Sequence, residues 1–328
     1  MTNPTILVTG GAGYVGSICT EKLLAQGYRV VVVDNLKTGH AQAVHPQAVF
    51  VHGSIGNRAL LARIFEKHTI YAVVHFAGET LVTAASTDPE RYFINNVVYG
   101  LNLLAVMRKY ECRRIIFSST AAVYGEPERF PIDEDHPTKP LNAYGESKLT
   151  LERILHYYHS AYDFRAVIFR YFNAAGASER FGELHQPETH LLPLVLQVPL
   201  AKRSRVDIYG DDYDTPDGTC IRDYVHVVDI AQAHLLSLEK IDQLGYGIYN
   251  LGNGTGFSVR DVIKVAETVS GTRIPTRTCE RRPGDPARLV ASHTRAQREL
   301  GWRPRYPALE EIIESAWRWR AAWPNGYE

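Results

Sequence analysis

The sequence predicts an α/β protein built on a doubly wound parallel sheet, with a smaller and more irregular α/β lobe attached. Three observations carry this. Short β-branched runs alternate with helix-period stretches through the first 175 residues. A glycine-rich turn, Thr9-Gly-Gly-Ala-Gly-Tyr-Val-Gly16, separates the first run from the stretch after it. Beyond about residue 175 the alternation weakens, and Gly/Pro/Asp-rich stretches such as Asp211-Asp-Tyr-Asp-Thr-Pro-Asp-Gly218 appear.

Taken in order, the expected strands are Thr5 to Thr9, Arg29 to Asp34, Ala72 to Phe76, Arg114 to Ser118 and Arg165 to Arg170. The stretches between them carry helical spacing, as at Leu101, Leu104, Ala105 and Arg108. Strands alternating with helices imply βαβ units around a buried parallel sheet. Right-handed crossovers then make the sheet doubly wound. The boundaries drawn are 1–175 for a nucleotide-binding domain and 176–328 for a substrate lobe. The run Gly247 to Leu251 reads as a strand by which the chain returns to the main domain. The stretch from Glu126 to Pro140, with four prolines, reads as a surface loop that could border a site.

Composition narrows the class. The 328 residues carry 36 Lys+Arg against 36 Asp+Glu, a formal charge of zero, which argues against a nucleic-acid polymer as partner. Hydrophobic residues make up 45%, enough for a large core and too many for a disordered chain. No apolar run approaches the ~20 residues of a membrane helix. The start lacks a basic segment, apolar core and cleavage site, so no secretory signal is expected. Cys19, Cys112, Cys220 and Cys279 are scattered without a C-x-x-C, which suits free thiols in a reducing cytoplasm.

The glycine-rich turn has chemistry. Gly10, Gly13 and Gly16 follow G-x-x-G-x-x-G spacing after a strand and at the opening of a helix. One glycine suits the tight turn, one lets a pyrophosphate approach the backbone, and one permits close helix–strand packing. The anion then rests on a helix N-terminus. The Gly-Lys-Ser/Thr ending of a P-loop is missing. The second strand ends in Asp34, 18 residues after Gly16. A carboxylate there can accept from ribose hydroxyls and repels a 2′-phosphate, which favours NAD over NADP. Together these features predict a Rossmann domain.

Tyr144 and Lys148 form Y-x-x-x-K, neighbours at i,i+4 on a helix. The same face continues through Leu151, Ile154, Leu155 and Tyr158, a core stripe, so the pair begins a buried face. A nearby ammonium would lower the tyrosine pKa toward use as a base. Ser118-Ser-Thr-Ala-Ala-Val-Tyr124 lies at the carboxyl end of a predicted strand, the edge that carries ligands in open α/β sheets. Thr120 is placed to offer a hydroxyl to a substrate oxygen. No pair among the 13 histidines has a convincing zinc spacing, His156 and His159 read as helix-surface residues, and no metal is expected. No G-x-S-x-G elbow is present.

These motifs resemble the extended short-chain dehydrogenase/reductase superfamily, and more narrowly the UDP-glucose 4-epimerase family. The likeness runs nearly end to end. It includes His75-Phe-Ala-Gly78, Asn95-Asn96, Arg170-Tyr-Phe-Asn173, Thr189-His-Leu-Leu-Pro193, Asp217-Gly-Thr-Cys-Ile-Arg-Asp-Tyr224 and Arg281-Arg-Pro-Gly-Asp285. The resemblance implies that Tyr144 is the catalytic base, Lys148 its partner, and Thr120 the hydroxyl on the sugar. It implies that Tyr14, Val15, Asp34, Asn35, Ser54, Ile55, Phe76, Ala77, Gly78, Asn95 and Phe172 surround NAD. It implies that Asn173, His190, Leu191, Ile208, Tyr209, Arg222, Arg282 and Asp285 surround the UDP-sugar. Leu289, four residues after Asp285, matches a position near the sugar C2 substituent. Two arginines suit a diphosphate, since a planar guanidinium binds its oxygens in pairs; Asp285 suits ribose hydroxyls. Three departures from the family pattern stand out. Thr120 replaces a common serine, Ser54 replaces the usual aspartate near the adenine, and Glu79-Thr80 falls where the family varies.

The implied activity is reversible NAD-dependent epimerisation at C4 of UDP-glucose and UDP-galactose through a 4-keto sugar, in a cytoplasmic homodimer. A 4-epimerase of UDP-N-acetylhexosamines or UDP-pentoses is an alternative. A nucleotide-sugar dehydratase fits poorly, because Ala121-Ala122 stands where that class has an acid pair. An NAD-sensing protein without catalysis is the alternative of a different class, and Thr120, Tyr144 and Lys148 occurring together argue against it.

Overall fold

A computed structural model describes residues 3–81, 84–282 and 284–327. Pro283, inside the Arg281-to-Asp285 motif, lies outside the described residues. The chain opens with β1 (Thr5–Thr9), α1 (Tyr14–Ala25), β2 (Arg29–Asp34), β3 (Val49–His52), α2 (Arg58–Lys67) and β4 (Ile70–His75). It continues through α3 (Pro89–Tyr92), a π-helical turn at Phe93–Val98, α4 (Tyr99–Lys109), β5 (Arg114–Thr120), α5 (Ala143–Tyr162) and β6 (Arg165–Tyr171). The second half holds β7 (Asn173–Ala175), α6 (Leu191–Leu196), β8 (Val206–Tyr209), β9 (Ile221–Arg222), β10 (Tyr224–His226), α7 (Val227–Leu244) and β11 (Tyr246–Leu251). It ends with β12 (Phe257–Ser258), α8 (Val259–Ser270), β13 (Thr276–Cys279), β14 (Arg288–Leu289), α9 (Thr294–Leu300) and α10 (Leu309–Ala322).

The main sheet has seven strands in the order β11-β6-β5-β4-β1-β2-β3, and every pairing in it is parallel. Strand order reverses between β1 and β4, and a crevice opens at the carboxyl ends on such a switch. Both faces are covered. Ile6 and Val8 of β1 enter a core with Ile18 and Leu23 of α1 and Ile230 and Leu238 of α7. Leu7 enters another with Leu61, Leu103, Leu104, Leu151 and Leu155 of α2, α4 and α5. That double burial is why the strands read as unbroken apolar runs rather than alternating ones.

Two features of the body differ from the sequence expectation. The strand β3 was not anticipated; it is the sheet edge and mostly exposed, so neither alternation nor an apolar run marks it. The return of the chain to the body is wider than the one strand expected near 247–251. Helix α7 packs on α1 and on β6, and β11 pairs with β6 from Tyr246↔Ala166 to Leu251↔Tyr171. Trp302 is fully buried in the same core, its indole N–H donating to the Asp229 carbonyl at 2.8 Å.

The lobe is assembled from small pieces: β8 with β13, β7 with β10, and the ribbon β12-β9-β14. Its own core joins Leu192, Val195, Val206, Ile208, Val262, Ile263, Ile312 and Ile313. Helix α8 starts with a capping box between Ser258 and Asp261, which satisfies two helix-end donors at once. Among the described residues, no helix is long and apolar enough to cross a membrane.

Candidate active site

The turn after β1 is shaped for close approach. Gly10 has φ +73°, and a Cβ there would lie 2.6 Å from the Ala77 backbone nitrogen. A Cβ at Gly16 would overlap the Gly10 carbonyl. Gly13 is the N-cap of α1; it supplies no side-chain cap, and the first turn holds no acid. The leading N–H groups of α1 are therefore left for an anion. Asp34 ends β2 with its carboxylate aimed by two main-chain donors: Ala12 N–H at 3.0 Å to Oδ2 and Leu36 N–H at 2.8 Å to Oδ1. A glycine cradle, a free helix N-terminus and a strand-end carboxylate fit the pyrophosphate and ribose of NAD.

The other cofactor-side candidates are held by short local contacts. Asn35 Oδ1 accepts from Lys37 N–H at 3.0 Å. Ser54 Oγ accepts from Gly56 N–H at 3.1 Å, so the residue in the aspartate position closes its own turn, and Ile55 beside it is buried. Ala77 N–H reaches the Thr9 carbonyl at 3.1 Å, and the Phe76 ring packs against His234 at 5.0 Å. Tyr14 donates to the Gly176 carbonyl at 2.6 Å, tying α1 to the segment after β7, and Val15 packs into the core beneath. The π-turn presents Asn95 and Asn96. Asn95 Nδ2 donates to the Arg91 carbonyl at 2.8 Å. Asn96 accepts from Glu79 N–H at 2.8 Å and donates to Ser147 Oγ at 2.9 Å. Glu79, whose role the sequence left open, is buried between Lys37 and Arg91, whose cations hold its carboxyl below the usual range against its burial.

The carboxyl end of β5 brings the reactive side chains together. Thr120 caps the short turn at Ala121–Val123, its Oγ1 accepting from Ala122 N–H at 3.1 Å. Helix α5 begins at Asn142, whose Oδ1 accepts from Gly145 N–H at 3.0 Å. A Cβ at Gly145 would lie 2.6 Å from the Ala122 carbonyl, so the helix start is pressed on the turn after Thr120. Tyr144 is half-buried there, edge-on to Tyr92 at 6.4 Å. One turn on, Lys148 is 2% exposed, donates to the Ser118 carbonyl at 2.9 Å and lies over the Phe117 ring at 5.1 Å. Burial brings its ammonium down to about 8, partly opposed by the Glu152 carboxylate. Burial pushes the Tyr144 phenol up, and a hydrogen bond from Thr120 offsets part of this. The net direction is opposite to the sequence expectation, because desolvation dominates and the Lys148 charge is not among the groups that pull the phenol down. Behind them, Glu152 binds Ser119 and pairs with Arg170, at 2.6 Å from Nη2.

The substrate-side candidates fall on β7, β8, β9 and β14, at the start of α6 and in the segment before β14. Asn173 starts β7, its N–H donating to the Asp223 carbonyl at 2.8 Å. Ile208 and Tyr209 end β8, and the Arg282 guanidinium stacks over the Tyr209 ring at 4.0 Å. Arg222 on β9 is ion-paired with Asp285, so this acid, expected on ribose hydroxyls, holds an arginine in the structure. Leu289 on β14 is in register with Arg222 and half-buried against a cluster that includes Phe172 and Tyr124. His190 caps α6 just before Leu191, with Nδ1 at 2.9 Å from Glu188 and 3.0 Å from Glu183. His156 is exposed, while His159 bonds the Phe164 carbonyl at 2.7 Å. The reading of the sequence missed the Glu183–His185–Glu188–His190 group; its signal was the alternating E-x-H-x-x-E-x-H spacing.

A doubly wound sheet with a dinucleotide cradle and a Thr/Tyr/Lys group at its carboxyl edge defines an enzyme of the short-chain dehydrogenase/reductase class. The chain belongs to the NAD dependent epimerase/dehydratase family, which matches residues 6–252. It is 51% identical over 325 residues to the UDP-glucose 4-epimerase of Halalkalibacterium halodurans, covering 98% of this chain and 97% of that one. A crystal structure of a UDP-glucose 4-epimerase superposes with TM-score 0.97 at 50% identity, covering 99% of both chains. The Bifidobacterium longum UDP-glucose 4-epimerase, solved in complex with NAD+ and UDP, superposes with TM-score 0.94 at 40% identity, covering 98% of this chain and 99% of that one.

Proposed function

We infer that the chain catalyses reversible, redox-neutral epimerisation at C4 of UDP-glucose and UDP-galactose, with NAD as cofactor. The carrying observation is the convergence of Thr120, Tyr144 and Lys148 at the end of β5, beside the glycine cradle. When bound, NAD supplies a reversible hydride acceptor for C4 and a positive charge within the site. The Tyr144 Oη takes the C4 hydroxyl proton and returns it to the C4 oxygen after the 4-keto sugar has turned its other face toward the cofactor. Thr120 Oγ1 holds that oxygen in place. Lys148 fixes the start of α5 through Ser118 and supplies positive charge within the buried site. Arg222 and Arg282 grip the diphosphate while the sugar changes face.

In this reading Gly10, Gly13, Tyr14, Val15, Gly16, Asp34, Asn35, Ser54, Ile55, Phe76, Ala77, Gly78, Asn95 and Phe172 surround the cofactor. Asn173, His190, Leu191, Ile208, Tyr209, Asp285 and Leu289 join the arginines around the UDP-sugar. Residues 1–175 bind NAD and 176–328 supply the substrate lobe, with α7 and β11 contributed back to the first. The protein works in the cytoplasm, which its four unpaired cysteines suit. It is a homodimer, for which the exposed Phe93, Ile94, Val98, Tyr157 and Tyr162 along the π-turn and α5 are the matching surface. A second activity toward UDP-N-acetylgalactosamine follows from Leu289, a smaller side chain than an aromatic at the C2 pocket.

The deciding experiment is incubation of the pure protein with UDP-galactose and no added NAD. Formation of UDP-glucose without NADH build-up supports the reading. Absence of turnover on UDP-galactose, UDP-N-acetylgalactosamine and UDP-pentoses alike leaves only a binding protein.

A further inference from the structure

We propose that Glu183, His185, Glu188 and His190 form a site for a divalent transition cation of the zinc type, between the cofactor helix and the substrate lobe. Each residue offers one ligand atom, and the four atoms lie within 4.8 Å of one another. The nitrogen–oxygen separations are 2.9 Å and 3.0 Å from His190 Nδ1, and 3.2 Å and 3.8 Å from His185 Nδ1. Zinc bonds of about 2.0–2.1 Å in tetrahedral geometry place neighbouring ligand atoms roughly 3.3 Å apart. The observed values bracket that spacing.

Hydrogen bonding within the group does not satisfy it. One Nδ1–H of His190 faces two carboxylates at once. His185 Nδ1 is buried without a hydrogen-bond partner, although Glu183 Oε1 lies 3.2 Å away. Glu188 Oε1 is taken by the Thr189 and His190 N–H groups, both at 2.9 Å, while Oε2 is buried with no hydrogen bond. The Glu188 side chain is only 6% exposed. A cation at the centre meets the idle nitrogen and the idle oxygen together.

The donor chemistry selects the ion. Two imidazoles with two carboxylates suit zinc and its first-row neighbours, whereas calcium and magnesium prefer oxygen-only shells. Two carboxylates also neutralise a divalent charge; both are buried, while His190 faces solvent. Arg320 stands behind the group, donating to the Glu183 carbonyl at 2.6 Å with its guanidinium 3.8 Å from Glu188, and so braces the acids from outside. The His185 ring lies edge-on to Tyr14 at 6.4 Å, and His190 leads directly into α6. A bound cation would therefore pin the 183–190 segment against the cofactor helix. The role proposed is structural, at a place where the sequence led to the expectation of no metal.

The test uses the full chain, prepared without an affinity tag, stripped by chelator and titrated with Zn2+ or Co2+. The expected result is one Zn2+ per chain, and a Co2+ form with tetrahedral d–d absorption and no thiolate charge-transfer band. His185→Ala and Glu188→Gln should each weaken Zn2+ binding by at least about 100-fold, beyond the effect typical of losing an outer-shell partner. Zn2+ binding that is unsaturable at micromolar concentration, or undiminished in both variants, overturns the site. So does a Co2+ spectrum that is octahedral or carries thiolate bands. That spectrum is read on the unmodified chain and decides the matter even where a variant fails to fold.

Discussion

The Lys148 ammonium donates to the main-chain carbonyl of Ser118 at 2.9 Å, so a single side chain fastens the helix bearing Tyr144 to the strand end bearing Thr120. The arrangement costs stability, because the ammonium is withdrawn from water and its pKa falls from 10.5 to about 8. The sign is fixed by proton count. Below pH 8 both folded and unfolded chains carry the charge, and the folded state bears the full burial cost. Between pH 8 and 10.5 the folded chain has lost a proton that the unfolded chain still holds, so stability rises with pH.

Lys148→Met removes that titration. Relative to the variant, the wild-type chain should gain about 3 kcal/mol between pH 8 and 10.5, since each tenfold change in proton affinity is worth about 1.4 kcal/mol. Denaturant unfolding of both proteins across the window checks it. A difference that stays flat with pH would contradict a depressed Lys148.

Tyr144→Phe should leave folding and NAD binding intact while lowering kcat by about 10²–10⁴-fold, the range for general-base catalysis. Only the phenolic oxygen is lost, and the ring keeps its edge contact with Tyr92. Retention of more than about half the turnover would remove Tyr144 from the base role.

Asp34→Ala should narrow the preference for NAD over NADP by removing both a ribose acceptor and the repulsion of a 2′-phosphate. The carboxylate also orders the turn through Ala12 and Leu36, so a stability loss of about 1–3 kcal/mol should accompany it. Titrating both cofactors into apo-protein and comparing affinities measures the first effect. An unchanged ratio refutes the assignment.

Leu289→Tyr should reduce turnover of UDP-N-acetylgalactosamine and spare UDP-galactose. The position is in register with Arg222 and packs beside Phe172, where an added ring takes volume next to that arginine. The readout is kcat/KM for both sugars in both proteins. A ratio that does not move excludes Leu289 as the gate.

Glu152→Gln should destabilise the chain by about 3–5 kcal/mol, since it leaves the Arg170 guanidinium buried without its counter-charge. Both side chains are at most 4% exposed, and Glu152 also binds Ser119 on β5. Chemical denaturation measures it; a loss below about 1 kcal/mol would show that Tyr124 and the Glu134 carbonyl suffice for Arg170.

The amino-acid sequence by itself determined the elements whose cause is local. Apolar runs such as Thr5–Thr9 and Arg165–Tyr171 must be buried strands wherever they pack. Gly10, Gly13 and Gly16 mark a turn, and Asp34 a strand-end carboxylate, because φ and strand length are short-range properties. Tyr144 and Lys148 face one way because a helix repeats every 3.6 residues. Tertiary structure alone decided what depends on distant neighbours. The edge strand β3 exists because β2 offers it a partner. Arg222 meets Asp285 across 63 residues. The Tyr144 phenol is raised because desolvation, a property of the packed site, outweighs the hydrogen bond from Thr120. Glu183, His185, Glu188 and His190 are neighbours in sequence, yet their ligand atoms converge because of how their segment lies between α1 and the lobe, with Arg320 of α10 braced behind it. Backbone preferences act over a few residues, whereas charge and solvation act through space, and only the folded chain sets those distances.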